Sequence, residues 1–574
     1  MKHTTALILG TLILLGYIVG YAPISEAQEP AVAAYWVAPN GNDANPGTHV
    51  QPFATIQKAV DAVSLRKEAA KNVMLEKGTY FVTEPIRIKT SISLSGNGVL
   101  PEVTISGGQK ITGFKEIEKG LAAADVPEAK AGTWAFHDLY VNDRRAIRAR
   151  SPNTGYFRIE KAGQDRRTNF IYNEGDLKKW KDLENVELVF LHDWSITRCP
   201  VKAVDEAERR LTVPHRIGGD IDFFKIDNWE PHPRYFVENS IEFLDAPGEW
   251  FLDTKEGKLF YRLKEGETVD TLEVIAPVAT QLLIVEGTPE QKAGGTIQHI
   301  RFAHAAYFPK LENTVWETQA GAFSAPGGGF LPSPAAVHLE NAADMAIHHC
   351  RFEHLGENGL WFSKNCFQCV VSESHFRDIG ANGIMIGTHN HENTVVGCTV
   401  QRSIVEKTGE TLYGSIGIWI GLTQKTNIED NIIRETPYTG VSCGWQWNPE
   451  PTPARENKIC RNLIYNCMQT LSDGGGIYTL GFQPDSVIGG NIIHGIPRAA
   501  GAAESNGMFL DEGTKDFTIT KNVVFGTEQS SLRFHQARQN VVSDNILLNN
   551  ADVPMIRYNS TPVENIKLID NRNY

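Results

Sequence analysis

The sequence has few features of nucleic-acid-binding, disordered or multi-span membrane chains. It has 68 acidic and 55 basic residues, a net charge of −13, and no basic cluster that could neutralise phosphates. The charged fraction of 21% and the hydrophobic fraction of 41% lie in the globular range. After the N-terminal region, no run is long and apolar enough to span a bilayer. We therefore expect a folded protein without a nucleic-acid partner.

Cysteine is scarce and poorly placed for disulfides. Seven of the eight cysteines lie between Cys350 and Cys467, inside a repetitive region. Cys350 and Cys398 fall at one repeat position two coils apart, about 10 Å at a strand spacing of ~4.8 Å, which exceeds disulfide reach. Cys366 and Cys369 form a CxxC without a second pair, so zinc is not expected. We predict buried free thiols, no metal and no cofactor.

The N-terminus is typical of an export signal. An apolar stretch over residues 6–19 follows Lys2 and His3, and Ser25-Glu26-Ala27 has the small-x-small pattern of a cleavage site. The sequence predicts a signal peptide over residues 1–27, export to a periplasm or the medium, and no stable membrane span after cleavage. The alternative is an uncleaved anchor, because the apolar stretch approaches spanning length.

The C-terminal half repeats an asparagine followed by two hydrophobic residues, then a turn and a glycine-led strand. The units are 23 to 33 residues apart, as expected for single coils of a β-helix with inserted loops. We predict a right-handed parallel β-helix with an asparagine ladder along its axis. The triplets begin at Asn431, Asn462, Asn491, Asn522 and Asn545, with Cys350, Ser374 and Cys398 at the same position in earlier units.

Alternation along the glycine-led strands separates an inward from an outward face. The predicted inward residues are Ile418, Val441, Ile477, Met508 and Leu532, together with Ile420, Cys443, Thr479, Leu510 and Phe534. The predicted outward residues are Trp419, Ser442, Tyr478, Phe509 and Arg533.

The sequence predicts a cap, an insertion and a main solenoid, which we expect to act as a monomer. Ile56, Ala59, Val60 and Val63 fall on one face of a helix that would cover the open end. Coils stop near Gly107 and resume near Leu272. The predicted divisions are a cap with the first coils over 28–106, an inserted β-rich domain over 107–270 and the catalytic β-helix over 271–574. The stretch 309–334 is predicted to be a loop beside the cleft.

Two aspartates are the candidate catalytic residues. Asp511 shares an outward column with His535 on the next coil, so the two should lie about 5 Å apart. Asp473 opens the segment SDGGGIY, whose three glycines suggest close approach or an unusual turn. Asp473 aligns with Glu504, however, which is about 23 Å along a straight strand from the column of Asp511. A solubilising Asp–His pair and a turn-forming aspartate are the alternative interpretations.

Further residues could bind substrate around these acids, because exposed aromatic rings suit sugar faces. Packing beneath a loop is the alternative for the tryptophans, and a satisfied surface group is the alternative for His389. The candidates are Tyr478, Glu512, His535, Arg533, Trp419, Trp445, Trp447, Glu410 and His389.

Several segments together resemble the parallel β-helix glycoside hydrolases of family 141. They are VAPNGNDANPGT, LYVNDRRAIRAR, ENSIEFLDAPGEWFLDTKEGKLFY, the SDGGGIY and FLDEG pair, and FHQARQNVVSDN. The resemblance spans nearly the whole mature chain. It implies α-L-fucosidase or xylanase activity on plant-type glycans, catalysed by two aspartates, which by motif are Asp473 and Asp511.

Two other functions remain open on the sequence alone. A β-helix polysaccharide lyase would need a Lys or Arg base and commonly Ca²⁺. Arg533 could serve as that base, but no lysine lies on the outward columns. The other alternative is a carbohydrate-binding β-helix without catalysis, which the clustered acids disfavour.

Overall fold

Three parallel sheets wind around one core, and each turn of the chain adds one strand to each sheet. The computed structural model describes residues 34–67, 71–98, 102–219, 224–228, 230–307, 316–317, 319–324, 329–392, 394–549 and 552–573. Over those residues the sheets hold 13, 12 and 11 strands. The predicted parallel β-helix is confirmed.

The first sheet opens each coil. Its strands are Tyr35–Val37, Asn72–Leu75, Ser93–Gly96, Ala293–Gln298, Ala342–His348, Val370–Ser372, Thr399–Gln401, Asn427–Glu429, Lys458–Cys460, Phe482–Gly489, Lys515–Thr520, Asn540–Ser543 and Ile566–Ile569.

The second sheet follows after a short bend. Its strands are Gly78–Phe81, Val103–Ser106, Ile300–Ala303, Arg351–Leu355, His375–Ile379, Ile404–Thr408, Ile432–Arg434, Leu463–Tyr465, Ile492–Ile496, Val523–Thr527, Ile546–Asn549 and Arg572–Asn573.

The third sheet carries the glycine-led strands. Its strands are Ile86–Ile88, Leu283–Glu286, Ala335–Glu340, Asn358–Phe362, Ile384–Ile386, Ile418–Ile420, Val441–Cys443, Gly474–Thr479, Ser505–Leu510, Leu532–His535 and Ile556–Asn559.

Like residues stack inside the solenoid. Ile418 aligns with Val441, Val441 with Ile477, and Ile477 with Met508, and all four are fully buried. Alternation with period two places every second side chain in this core, which removes its apolar area from water. The predicted inward face is confirmed.

An asparagine ladder closes the bend between the first and second sheets. Asn462 donates from Nδ2 to the Ile428 carbonyl at 2.8 Å and to Asn491 Oδ1 at 3.0 Å. Its own Oδ1 accepts from the backbone N–H and the Nδ2 of Asn431, each at 3.0 Å. The ladder continues through Asn571. Each buried amide is therefore satisfied by the coil on either side.

One predicted member of the ladder is wrong. Ser403, not Cys398, precedes Asn431 in the column, and its backbone N–H donates to Asn431 Oδ1 at 3.0 Å. Cys398 instead aligns with Cys369 before the strands of the first sheet, because Thr399 pairs with Val370. Loop lengths differ between these coils, so the spacing of the repeated position is not constant. All eight cysteines are free thiols, as predicted.

We expect Asn462→Ala to lower the free energy of unfolding by about 3 kcal/mol, because it leaves several buried donors and acceptors unpaired. Chemical denaturation followed by circular dichroism measures this loss. The control is Asn427→Ala, whose side chain makes only long contacts on the outer face, to Thr399 Oγ1 at 3.5 Å and the Lys425 carbonyl at 3.4 Å. Equal losses in both variants would contradict a structural role for the ladder.

A helix covers the first coil, as predicted. Ile56–Ser64 begins at Thr55, whose side chain accepts from the Lys58 N–H, and it buries Ile56, Ala59, Val60 and Val63. The remaining helices are short: Pro127–Lys130, and the 3₁₀ turns Leu183–Asn185, Ile241–Phe243, Val269–Thr271 and Val563–Asn565. In the part of the chain that the structure describes, no helix is long and apolar enough to cross a bilayer. The predicted signal peptide, residues 1–27, lies outside the described residues.

The predicted β-rich insertion separates the third-sheet strands Ile86–Ile88 and Leu283–Glu286, and its strands are mostly antiparallel. Two clusters of buried hydrophobic side chains separate from the solenoid core lie within it. Its strands are Gly108–Ile111, Lys115–Glu118, Leu121–Asp125, Tyr140–Val141, Ile147–Arg148, Arg150–Ser151, Phe157–Ala162, Asn169–Tyr172, Glu187–His192, Ser195–Pro200, Ala203–Asp205, Arg210–Thr212, Arg234–Glu238, Glu249–Asp253, Lys258–Arg262 and Val274–Pro277.

The prediction of a simple loop over 309–334 is wrong for its described part. Trp316–Glu317, Ala322–Ser324 and Phe330–Pro332 are strands, and the first of them pairs with Ser195–Pro200 of the insertion. This excursion therefore extends a sheet of the inserted domain over the coils.

Buried polar contacts fix the inserted domain to the second-sheet side of the solenoid. Arg145 Nε donates to Asp378 Oδ1 at 2.6 Å, and Arg198 Nε donates to the Thr411 carbonyl at 3.2 Å. Both guanidinium groups are largely buried, with 15% and 8% of the side chain exposed. Loss of one partner would leave a buried charge, so these contacts hold the insertion in one position.

Candidate active site

Asp511 lies at the end of strand Ser505–Leu510 and is held by two neighbours. The Tyr478 hydroxyl donates to Asp511 Oδ2 at 2.6 Å, and His535 Nδ1 lies 2.6 Å from Asp511 Oδ1. Asp511 and His535 are on adjacent coils, as the predicted column requires. The hydrogen bond to Asp511 raises the pKa of His535. Both oxygens of Asp511 are thus held by hydrogen bonds from neighbouring side chains.

Asp473 precedes strand Gly474–Thr479 in the left-handed backbone region, with a φ of 59°. Its N–H donates to the Glu504 carbonyl, which confirms the predicted alignment. The backbone does not fold back, because Gly474–Thr479 pairs in register with Ser505–Leu510. Arg533, which aligns with Phe509 on the neighbouring coil, brings its Nη1 within 3.2 Å of Asp473 Oδ1.

The environment of Asp473 favours a protonated carboxyl group. Loss of solvent, followed by the negative charges of Asp511 and Asp193, raises the pKa of Asp473 to about 7, against the opposing effect of Arg533. The side chain keeps 27% exposure, so water reaches it and moderates the rise. The two carboxyl groups therefore interact electrostatically, since the charge of Asp511 is one cause of the raised pKa of Asp473.

The structure adds a third carboxylate that sequence reasoning missed. Asp193 lies in the turn between strands Glu187–His192 and Ser195–Pro200 of the insertion and is fully buried. Its Oδ1 accepts from Ser472 Oγ at 2.8 Å and from the Ala502 N–H at 2.8 Å. Its backbone carbonyl accepts from the Ser472 N–H at 2.6 Å. The insertion thus reaches the residue next to Asp473, and no repeat or motif in the sequence marks this contact.

Most of the predicted exposed aromatic row is buried. Trp419 is 0% exposed and Trp445 is 5% exposed, and both pack with His389 at ring distances of 4.5 and 4.6 Å. Phe330, from the excursion that covers this face, lies 5.0 Å from Trp445. The prediction that Trp419 and Trp445 are open to solvent is wrong, because Phe330 packs on Trp445 and His389, and Trp419 packs against those same two rings. The alternative of packing beneath a covering segment holds for both.

Trp447 lies at the edge of this aromatic group and also packs against the residues beside Asp511. It is half-buried and packs against Tyr478, Leu480 and Phe509. Tyr478 is itself 2% exposed, so its ring is packed rather than open, contrary to expectation, and its hydroxyl serves Asp511. Trp447 therefore offers partly exposed ring surface close to the candidate site.

Three predicted polar residues take different positions. Arg533 lies with its guanidinium 4.2 Å from the centre of the Phe509 ring and beside Asp473. Glu512 is half-buried next to Asp511, and burial followed by the Asp511 charge raises its pKa. Glu410 is exposed, and none of its described contacts joins it to the two aspartates.

Among the described residues, two groups of side chains have a spacing that could hold a metal ion. Ligand atoms of Asp511, Glu512 and His535 lie within 4.8 Å of one another, but both Asp511 oxygens already accept strong hydrogen bonds. In the second group, His137, Glu187 and Glu238, Arg148 Nη1 lies 2.6 and 2.7 Å from the two glutamates. A guanidinium already neutralises those carboxylates, so an ion-pair network fits that donor set better.

Comparison with known proteins relates this architecture to glycan-acting enzymes. A family model described as "GH141 insertion domain" matches residues 120–264. Models described as "Periplasmic copper-binding protein (NosD)" and "Protein of unknown function (DUF1565)" match residues 312–496 and 39–124. The comparison with curated proteins gives no match. The first match confirms the resemblance to glycoside hydrolase family 141 through the inserted domain.

Two solved structures share the fold. One, titled "Glycoside hydrolase", is 23% identical with a TM-score of 0.76, and the match covers 94% of this chain and 96% of that one. The other, "The complex structure of XylC with xylose", is 12% identical with a TM-score of 0.50, covering 90% and 76%. At these identities the likeness concerns the fold, and together with the insertion-domain match it supports a glycosidase.

Proposed function

We propose that the chain is an exported glycoside hydrolase that acts on a complex plant-type or algal polysaccharide or oligosaccharide. The observation that carries this proposal is the pair Asp473 and Asp511: the pKa of Asp473 is raised to about 7, in part by the charge of Asp511, and Tyr478 and His535 hold the Asp511 carboxylate. Glycosidases require this division of roles between an acid and a second carboxylate. The insertion-domain match supports the same reaction class.

In the proposed mechanism, Asp473 is the general acid and protonates the leaving glycosidic oxygen. Its raised pKa keeps the proton available near neutral pH. Tyr478 and His535 donate to Asp511 and hold its carboxylate, which attacks the anomeric carbon or activates a water molecule. Positive charge on the sugar ring in the transition state would be stabilised by this carboxylate.

Neighbouring residues position the acid and contact the substrate in this proposal. Arg533 orients the Asp473 carboxyl group, and Asp193 fixes Ser472 beside it while its charge opposes ionisation of Asp473. Trp447 supplies a face on which a sugar ring can stack. Glu512 is a hydrogen-bond acceptor for substrate hydroxyl groups.

For the substrate, we propose a fucosylated glycan of the pectic type, cleaved as by an α-L-fucosidase. The support is the resemblance in the SDGGGIY and FLDEG segments, since the pocket chemistry alone does not select a sugar. We also propose that the protein works in a periplasm or the medium, which the predicted signal sequence supports.

Product analysis tests the reaction class. Purified protein is incubated with pectic, xylan and fucosylated glycans, and both reducing sugar and ultraviolet absorbance are recorded. We expect reducing sugar without new absorbance, since hydrolysis leaves no double bond. Absorbance from an unsaturated product would instead identify a lyase, and neither signal on any glycan would favour a binding protein.

A further inference from the structure

A cleft of about 410 Å³ opens where the inserted domain meets the coils, and three arginines line it. Arg158 and Arg234 come from strands of the insertion, and Arg498 comes from the loop that follows strand Ile492–Ile496. Gln469 and Thr470 form part of the solenoid wall. The cleft has the size of a small-molecule site and an unusual concentration of positive charge.

Arg234 is the buried member of this group. Its side chain is 5% exposed, its Nε donates to Glu230 Oε2 at 3.2 Å, and its Nη1 donates to the Thr470 carbonyl at 2.8 Å. The remaining nitrogen, Nη2, has no hydrogen-bond partner among the residues described. A buried guanidinium rarely leaves a donor unused, so this atom is suited to a ligand acceptor.

The charges around the cleft do not cancel. Glu230 is the carboxylate that pairs with both Arg158 and Arg234. Arg498 is exposed, and its backbone N–H, not its guanidinium, donates to Glu528 Oε2 at 3.0 Å. The residues that line the cleft thus include three arginines and no acidic residue, and this excess of positive charge favours an anion with planar or tetrahedral oxygen geometry.

The residues that line the cleft lie close in the sequence to Asp473 and to the residues that contact its surroundings. Thr470 lies three residues before Asp473, and the wall that contains Arg498 leads to Ala502, whose N–H donates to Asp193. A molecule in the cleft is thus bound beside the segment that carries the proposed acid. Because a polysaccharide extends over several sugar units, one chain can occupy both places.

We propose that this cleft is a subsite for an acidic sugar of the substrate, which binds the carboxylate of a uronic acid or a sulfate ester through Arg158, Arg234 and Arg498. This inference rests on the proposed glycosidase function and adds to it a charge requirement on the glycan. The exposed amide of Gln469 and the half-buried ring of Tyr156 supply hydrogen-bonding and stacking contacts for the rest of the sugar.

Binding of free sugars tests the subsite without any need for turnover. Galacturonic acid, galactose 6-sulfate and galactose are titrated into the full-length protein, followed by ligand-observed NMR. We expect at least one acidic sugar to bind at least tenfold more tightly than galactose, with affinity that falls as salt is added. The stronger of the two acidic sugars identifies the anionic group. Equal affinity for all three sugars would overturn the proposal.

Variants of the arginines test whether the acidic sugar binds in this cleft. Arg158→Gln with Arg498→Gln should reduce the preference for acidic sugars at least fivefold, whereas Arg455→Gln, at an exposed arginine outside the cleft with 54% side-chain exposure, should retain it. Arg234→Lys, checked by thermal unfolding because Arg234 also bonds Thr470, should weaken acidic-sugar binding at unchanged Tm. An unaltered preference in the double variant would overturn the assignment.

Hydrolysis and binding then separate the two proposals. Cleavage of glycans with no acidic-sugar preference would leave the hydrolase and refute the subsite. Acidic-sugar binding that depends on the arginines, with no hydrolysis of any glycan, would support the subsite and refute the glycosidase.

Discussion

Asp511→Asn should lower kcat/KM on the preferred glycan by about 10³-fold or more, because it removes the proposed nucleophile or base from the transition state. Asparagine cannot ionise, so the variant loses both the nucleophilic or basic group and the negative charge that stabilises the sugar cation. Its amide oxygen can still accept from Tyr478 or His535, so the fold should persist. Steady-state kinetics and thermal unfolding of the same preparation measure both effects.

The matched control is Asp485→Asn, an exposed aspartate in the first sheet with the same left-handed backbone conformation as Asp473. It should keep wild-type kcat/KM. If Asp511→Asn retained more than a tenth of the activity at unchanged Tm, Asp511 would not be the second catalytic carboxylate.

Asp473→Asn should have an effect that depends on the leaving group. General acid catalysis is worth about 10²- to 10⁴-fold, and it is needed most when the departing alcohol is a poor leaving group. We therefore expect a loss of that size on the natural glycan and a much smaller loss on an aryl glycoside with an acidic phenol. Equal losses on both substrates would assign the acid role to another residue.

The pH profile gives an independent check on Asp473. The acid must be protonated to act, and the raised pKa of Asp473, about 7, means that activity falls as the pH rises through that value. Below this pKa Asp473 keeps its proton, so a fall in activity at acidic pH would report the titration of another group. In Asp473→Asn the alkaline limb should disappear from the kcat profile of the aryl glycoside.

The periodic features could be predicted from the sequence because each coil must meet the same requirements for core packing and backbone hydrogen bonding. Asn462 and Asn491 fall at one position because each must satisfy the bend of the coil before it. Ile56 and Val60 marked the cap through helical spacing. The pair Asp511 and His535 followed from strand register alone, since side chains in one column are neighbours.

Contacts between the insertion and the coils could not be read in this way. Phe330 buries Trp445, and Asp193 reaches Ser472, through docking of segments that share no period. Loops of unequal length change the spacing between coils, so Cys398 does not lie in the asparagine column that the sequence spacing predicts. The long side chain of Arg533 links Asp473 to the third-sheet face, which backbone spacing alone could not indicate.

The contact between Asp193 and Ser472 joins positions 279 residues apart in the chain. During synthesis the hairpin that carries Asp193 emerges first, and the coil that will receive it is made only after most of the solenoid has been translated. Pairing at such separation forms late, because a large loop must close before the contact stabilises anything. The surroundings of Asp473 are therefore completed among the last steps of folding, and a newly made or truncated chain can hold many ordered coils while still lacking the carboxylate of Asp193 beside the proposed acid.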